Sequence, residues 1–122
     1  MVFTKKLCYT DSERTFEPIK KEDIPMQLTV RQPSASEDAK HYTTERLRGE
    51  YLIETVFAPD DAILTYSHFD RIIAGGVMPV SKSVELVGCK ELASDTFLQR
   101  REMGVINIGG KGKIAVDGVA YD

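Results

Sequence analysis

Two short clusters set arginine close to a carboxylate, Ser67-His68-Phe69-Asp70-Arg71 and Arg100-Arg101-Glu102. A guanidinium offers a planar fork of donors that grips a carboxylate through two parallel bonds. Arg71, Arg100 and Arg101 are therefore candidates to hold an anionic substrate. The competing reading is structural, with each arginine pairing a carboxylate to close a sheet edge or a subunit contact. Spacing leaves both readings open, and the structural one is the commoner use of such pairs.

Other chemistries find less support. The chain has two histidines, His41 and His68, in unrelated local contexts. A mononuclear metal site needs three or four convergent ligands, so no metal set is expected. His68 reads as a strand-end residue hydrogen-bonded through its ring. Gly109-Gly110-Lys111-Gly112-Lys113 superficially resembles a phosphate loop. That loop requires four residues between its glycines, then Lys with Ser or Thr, then a helix. Here Ile114 follows, so a tight turn between strands is expected. Cys8 and Cys89 read as free thiols in a reducing compartment, since no local base would activate either.

These residues need elements to hold them. Residues 1–27 are polar, interrupted by Pro18 and Pro25, and show no clear strand or helix period. They read as a mobile extension, with Met26 as the natural start. Ser34 and Glu37 form a capping-box pattern. Thr43 or Thr44 can cap a short turn over Glu45–Arg48 that Gly49 could end. From Tyr51 the pattern turns to strands. Tyr51–Phe57, Ala62–Tyr66, Arg71–Pro79, Ser83–Val87, Gly104–Ile108 and Lys113–Val116 are each expected to be one. Gly75-Gly76 argues for a bulge or a close backbone approach. Asp117-Gly118 is a strong hairpin signal. Short strands separated by turns argue an all-β sandwich or barrel.

A chain of 122 residues, 42% hydrophobic and 29% charged, fits one soluble domain. A net charge of −3 argues against nucleic acid as a main partner. Met1-Val2-Phe3-Thr4-Lys5-Lys6-Leu7 has no apolar run behind its lysines and is not read as a signal peptide. No apolar stretch approaches the ~20 residues of a membrane helix. The expected compartment is the cytoplasm, with no membrane partner.

Four stretches carry a family resemblance. They are Leu47–Phe57 (LRGEYLIETVF), Tyr66–Pro79 (YSHFDRIIAGGVMP), Phe97–Gly110 (FLQRREMGVINIGG) and the turn Val116-Asp117-Gly118. Weaker similarity starts near Val30 and includes Glu37-Asp38-Ala39-Lys40 and Tyr42. Together these resemble the N-terminal half of the 5-keto-4-deoxyuronate isomerases, also called 4-deoxy-L-threo-5-hexosulose-uronate ketol-isomerases. The resemblance implies a cupin-like fold, the first half of a bicupin, over an incomplete domain at 28–122. It implies a cytoplasmic homo-oligomer, hexameric in the family, and a small uronate substrate from pectin or related polymers. It also implies zinc, bound in the second cupin half by a His-x-His pattern and a following glutamate. No His-x-His occurs in these 122 residues, so no ligand carries over and no zinc is expected on this chain alone.

Ketol isomerisation needs a base to move a proton between adjacent carbons and a Lewis acid to stabilise the developing charge. The resemblance leaves this part with scaffolding, oligomer contacts and an arginine for the substrate carboxylate. No catalytic residue is assigned and no activity is expected from the chain alone. A non-catalytic cupin-like binding or oligomerisation module is the alternative. An anion or nucleotide binder using Gly109–Lys113 is a third.

Overall fold

The computed structural model describes residues 7–11 and 26–122. Strands β1 (Leu7–Asp11), β5 (Val84–Leu86), β6 (Gly112–Val116) and β7 (Val119–Tyr121) form one sheet in the order β5-β1-β6-β7, all antiparallel. Strands β2 (Met26–Arg31), β3 (Ala62–Ser67) and β4 (Ile72–Val77) form a second, ordered β2-β3-β4. β2 runs parallel to β3, and β4 returns antiparallel. A parallel pair needs a long crossover. Here it contains helices α1 (Ser36–Ala39) and α2 (Thr44–Tyr51).

Period-two alternation decides which face of the second sheet is buried. The register lines up Met26, Leu28 and Val30 with Ala62, Leu64 and Tyr66. The β4 partners on that face are Val77, Gly75 and Ile73. Ala62, Leu64 and Tyr66 are buried and meet Val84 and Leu86 from the other sheet. Leu92 and Phe97, on the connection between β5 and β6, complete the core.

Strands in two sheets dominate and helices are few, in line with the all-β expectation. Several elements differ from their sequence reading. Leu7–Asp11 and Met26–Arg31 are strands, although no strand is expected from sequence before Tyr51. The rest of the expected N-terminal extension lies outside the described residues. Tyr51–Phe57 is not a strand: α2 runs through Gly49 to Tyr51 and caps at Leu52. Thr43 caps it, its hydroxyl accepting from the Arg46 amide at 3.3 Å. At the other end Arg31 Nη2 donates to the Leu52 carbonyl at 2.6 Å. The end of β2 thereby satisfies a carbonyl that the helix leaves open.

The Ser34–Glu37 capping box does not form. Ala35 is the N-cap of α1 without a side-chain bond. Glu37 pairs with Lys40, and the Ser34 hydroxyl faces Glu50 at 3.4 Å.

The glycine pair in β4 answers a close approach rather than a bulge, since its ladder with β3 is continuous. A Cβ on Gly76 would lie 2.3 Å from the Phe57 ring and 2.5 Å from the Val56 carbonyl oxygen. The segment expected as a strand thus lies over β4 without joining the sheet. Gly104–Ile108 is also outside any strand, with Ile106 87% exposed. The Asp117-Gly118 hairpin is present, with φ of +51° and +83°. Positive φ at both central residues is the turn that matches strand twist.

Candidate functional site

Tyr66 lies near the end of β3, and the chain then turns through residues 68–71 into β4. Arg71 closes that turn with φ +52°, a left-handed conformation uncommon outside glycine. Opposite, the chain passes Ala93 at φ +47° and a tight turn at 95–99. There the Asp95 amide donates to Gln99 Oε1 at 3.0 Å and the Gln99 amide to the Thr96 carbonyl at 3.3 Å. Phe97 is buried in the core. Its anchoring fixes where Arg100 and Arg101 leave the domain.

The three arginines named from sequence line one cleft of about 340 Å³, together with Tyr66, Leu92, Ser94 and Phe97. All three also line a wider cleft of about 1020 Å³ that extends along β4 and the 102–111 segment. Arg101 Cζ stands 4.6 Å from the Tyr66 ring centroid, a cation–π contact. The His68 ring lies 4.4 Å from the same ring.

The ion pairs among the described residues are Lys40–Glu37, Arg46–Glu50, Arg48–Glu54 and Lys113–Asp122. None involves Arg71, Arg100 or Arg101. Within the described residues neither Asp70 nor Glu102 pairs with any of them. Tyr66 and Ser94 were not singled out in the sequence. Tyr66 looked like an ordinary strand residue, and nothing around Ser94 signals a site.

The remaining candidates separate from the cleft. The ring contact of His68 is to Tyr66, in place of the expected ring hydrogen bond. His41 is exposed beyond α1. No three His, Cys, Asp or Glu side chains come together among the described residues, so these do not fit a zinc ion. Cys89 is a free thiol, half-buried against the core. Burial pushes its pKa up, with Glu91 adding to the effect, which keeps the thiol protonated and a poor nucleophile. The side chain of Cys8 lies outside the described residues. In the glycine-rich stretch the Gly109 amide is already used by Asn107 Oδ1 at 3.0 Å. Asn107 Nδ2 donates to the Gly110 carbonyl at 2.8 Å. That turn is closed by its own side chain, and the element before it is not a strand.

Asp60 is a polar hub in the turn before β3. Its Oδ1 accepts from the amides of Val80, Ser81 and Lys82 at 2.7, 2.7 and 3.1 Å, and the Ser81 hydroxyl donates to Oδ2. The Ser81 hydroxyl first, then the Val80 and Ser81 amides, hold this carboxyl far below the ordinary carboxylate range. Asp60 organises the loop from β4 to β5 and does not line either cleft.

No helix among the described residues is long and apolar enough to cross a membrane. No family model matches the chain. Curated proteins do. A 4-deoxy-L-threo-5-hexosulose-uronate ketol-isomerase of Lachnoclostridium phytofermentans is 50% identical over 95 residues, which is 78% of this chain and 34% of that protein. The protein of that name numbered 2 in Enterococcus faecalis is 52% identical over 91 residues, 75% of this chain and 33% of its own length. One from Yersinia pestis is 55% identical over 98 residues, 78% of this chain and 35% of its own length. The chain spans about a third of the length of the curated relatives it matches. Over that third it is plainly similar in sequence to the 4-deoxy-L-threo-5-hexosulose-uronate ketol-isomerases.

Proposed function

We propose that this chain is the N-terminal portion of a ketol-isomerase of uronate catabolism. The reaction is conversion of 5-dehydro-4-deoxy-D-glucuronate to 3-deoxy-D-glycero-2,5-hexodiulosonate, in breakdown of pectin and related polymers. The observation that carries this reading is identity of 50–55% to proteins bearing that enzyme's name. The two-sheet strand arrangement is compatible with a cupin-like half domain. A cytoplasmic homo-oligomer with a second, zinc-bearing cupin half completes the proposal.

The chemistry divides accordingly. Isomerisation moves a proton from one carbon to its neighbour, and a base must reach both positions. The described residues bring together no donor set for zinc, so no step is assigned to that ion here. The share of this chain is to scaffold the enzyme and to contact the substrate through its arginine-lined cleft. On its own it is inactive.

The test is a chimera. The matching segment of the Yersinia pestis protein is replaced by residues of this chain, and turnover is assayed beside the 122-residue chain alone. We expect turnover by the chimera and none by the isolated chain. A chimera that melts like the parent yet does not turn over would overturn the assignment. Turnover by the isolated chain with added zinc would overturn its predicted inactivity.

A second reading, a non-catalytic binding or assembly module, draws on the exposure of Val105, Ile106 and Ile108. It predicts a stable isolated chain that self-associates on size-exclusion chromatography and an inactive chimera.

A further inference from the structure

We propose that the small cleft at the end of β3 is a binding site for the carboxylate of a sugar acid, held by Arg71, Arg100 and Arg101. This deepens the uronate reading by assigning the ligand's charge to particular side chains. Three arginines line the cleft and none takes part in an ion pair among the described residues. Like charges gathered in one place repel, and an anion between them removes that repulsion. The chain as a whole is negative, so the positive cleft is a local feature.

The cleft is also shaped for more than a bare ion. At about 340 Å³ it falls at the small end of ligand pockets. Leu92 and Phe97 supply apolar wall, and Ser94 a hydroxyl that can donate or accept. Three arginines and a serine outnumber these two apolar residues, which suits a charged, hydroxylated ligand better than an apolar one. A sugar acid presents a planar carboxylate for bidentate arginine bonds beside a ring with apolar edges and hydroxyls.

One arginine is already restrained. Arg101 lies over the face of Tyr66, itself buried on the inward row of β3. A guanidinium held before the ligand arrives loses less rotamer freedom on binding. Tyr66 is thus a positioning residue, acting on the ligand through Arg101. Arg71 is placed at the cleft by the backbone, on the left-handed residue of the turn between β3 and β4.

The experiment is calorimetric titration of the 122-residue chain with D-galacturonate, D-galactose and inorganic phosphate. Galacturonate is expected to bind with a Kd of about 1 mM or tighter, and galactose not to bind. Arg100→Gln and Arg101→Gln should each weaken galacturonate binding about tenfold or more. Arg101→Lys keeps the charge, loses the bidentate fork, and should weaken it less. Tyr66→Phe should bind normally, whereas Tyr66→Leu should weaken binding at unchanged far-UV circular dichroism.

Absence of galacturonate binding by the unaltered chain overturns the proposal. So does equal binding of galactose, which would remove the role of charge. Phosphate binding as tight as galacturonate would reduce the site to a general oxyanion site and overturn the sugar-acid assignment. Undiminished binding by a folded Arg100→Gln/Arg101→Gln double variant would acquit the arginines. Binding by the chain with an inactive chimera would leave this site standing and remove the isomerase reading. An active chimera without binding would do the reverse.

Discussion

Strand β3 and the segment Met103–Ile108 look alike on paper and behave oppositely. β3 alternates Ala62, Leu64 and Tyr66 with Ile63, Thr65 and Ser67. The later segment alternates Met103, Val105 and Asn107 with Gly104, Ile106 and Ile108. β3 is hydrogen-bonded on both sides, and its inward row is buried. The later segment joins no ladder, and its isoleucines Ile106 and Ile108 are 87% and 75% exposed. Alternation specifies which side chains share a face. It becomes a strand only where a neighbour supplies hydrogen-bond partners and an apolar surface.

The largest effect should come from the middle of β3. Leu64 is buried between Leu28 of β2 and Gly75 of β4, and packs in the central cluster. Leu64→Ala removes buried methyl groups and leaves a cavity, at a cost of about 2–5 kcal/mol. Urea unfolding monitored by circular dichroism reads this as a lower midpoint with little change in slope. A loss below about 1 kcal/mol would mean the two sheets do not share the core described.

Next is Gly76, where the outer face of the same sheet meets the chain that failed to become a strand. A methyl group there meets the Phe57 ring and the Val56 carbonyl at 2.3 and 2.5 Å. A side-chain ring can move aside, but a carbonyl oxygen carries backbone with it. Gly76→Ala should cost about 1–3 kcal/mol as an overpacking change. Phe57→Ala in the same chain should restore only part of the loss. Full recovery in a double-mutant cycle would show that the Val56 backbone is free to yield.

Much of the fold was readable from local chemistry, and the failures share a cause. Asp117-Gly118 and the strands around residues 62–67, 72–77, 84–86 and 112–116 follow from turn residues and alternation. Each lies beside its partner in the structure. Tyr51–Phe57 and Gly104–Ile108 had the composition of strands, yet neither pairs with an edge of either sheet. Leu7–Asp11 had little strand character yet lies between β5 and β6, so long-range pairing outweighed local preference. At the cleft, the residue types picked out Arg71, Arg100 and Arg101. Their convergence depends on where Phe97 is buried and where β3 ends, which no spacing rule encodes. Tyr66 beneath Arg101 was invisible for the same reason.

A pH-dependent effect separates the well-tied loop from β4 to β5 from the loosely held 103–108 segment. Asp60 ties residues 80–82 by accepting four hydrogen bonds, and its folded pKa is depressed mainly by the Ser81 hydroxyl. A depressed carboxylate contributes stability that is full above its unfolded value, near 3.8, and is lost as pH falls through the folded one. Asp60→Asn removes the ionised form, while Asn still tolerates the left-handed backbone at φ +57°. The wild-type chain should therefore melt above the variant at pH 7, and the gap should narrow below about pH 4. A gap that widens on acidification would contradict this sign.

The smallest effect belongs to the exposed segment. Ile106 has almost no buried side-chain surface to lose on truncation, being 87% exposed. The transfer gain that made Leu64 costly is absent, and so is any cavity, because no neighbour encloses the site. Ile106→Thr should shift the unfolding free energy by no more than about 0.5 kcal/mol in either direction. The measurement is the same urea titration, run at low protein concentration so that association does not enter. A loss approaching that of Leu64→Ala would mean that Ile106 is buried in solution and that the segment pairs as its alternation first implied. The contrast with β3 would then reduce to two strands at different depths in one core.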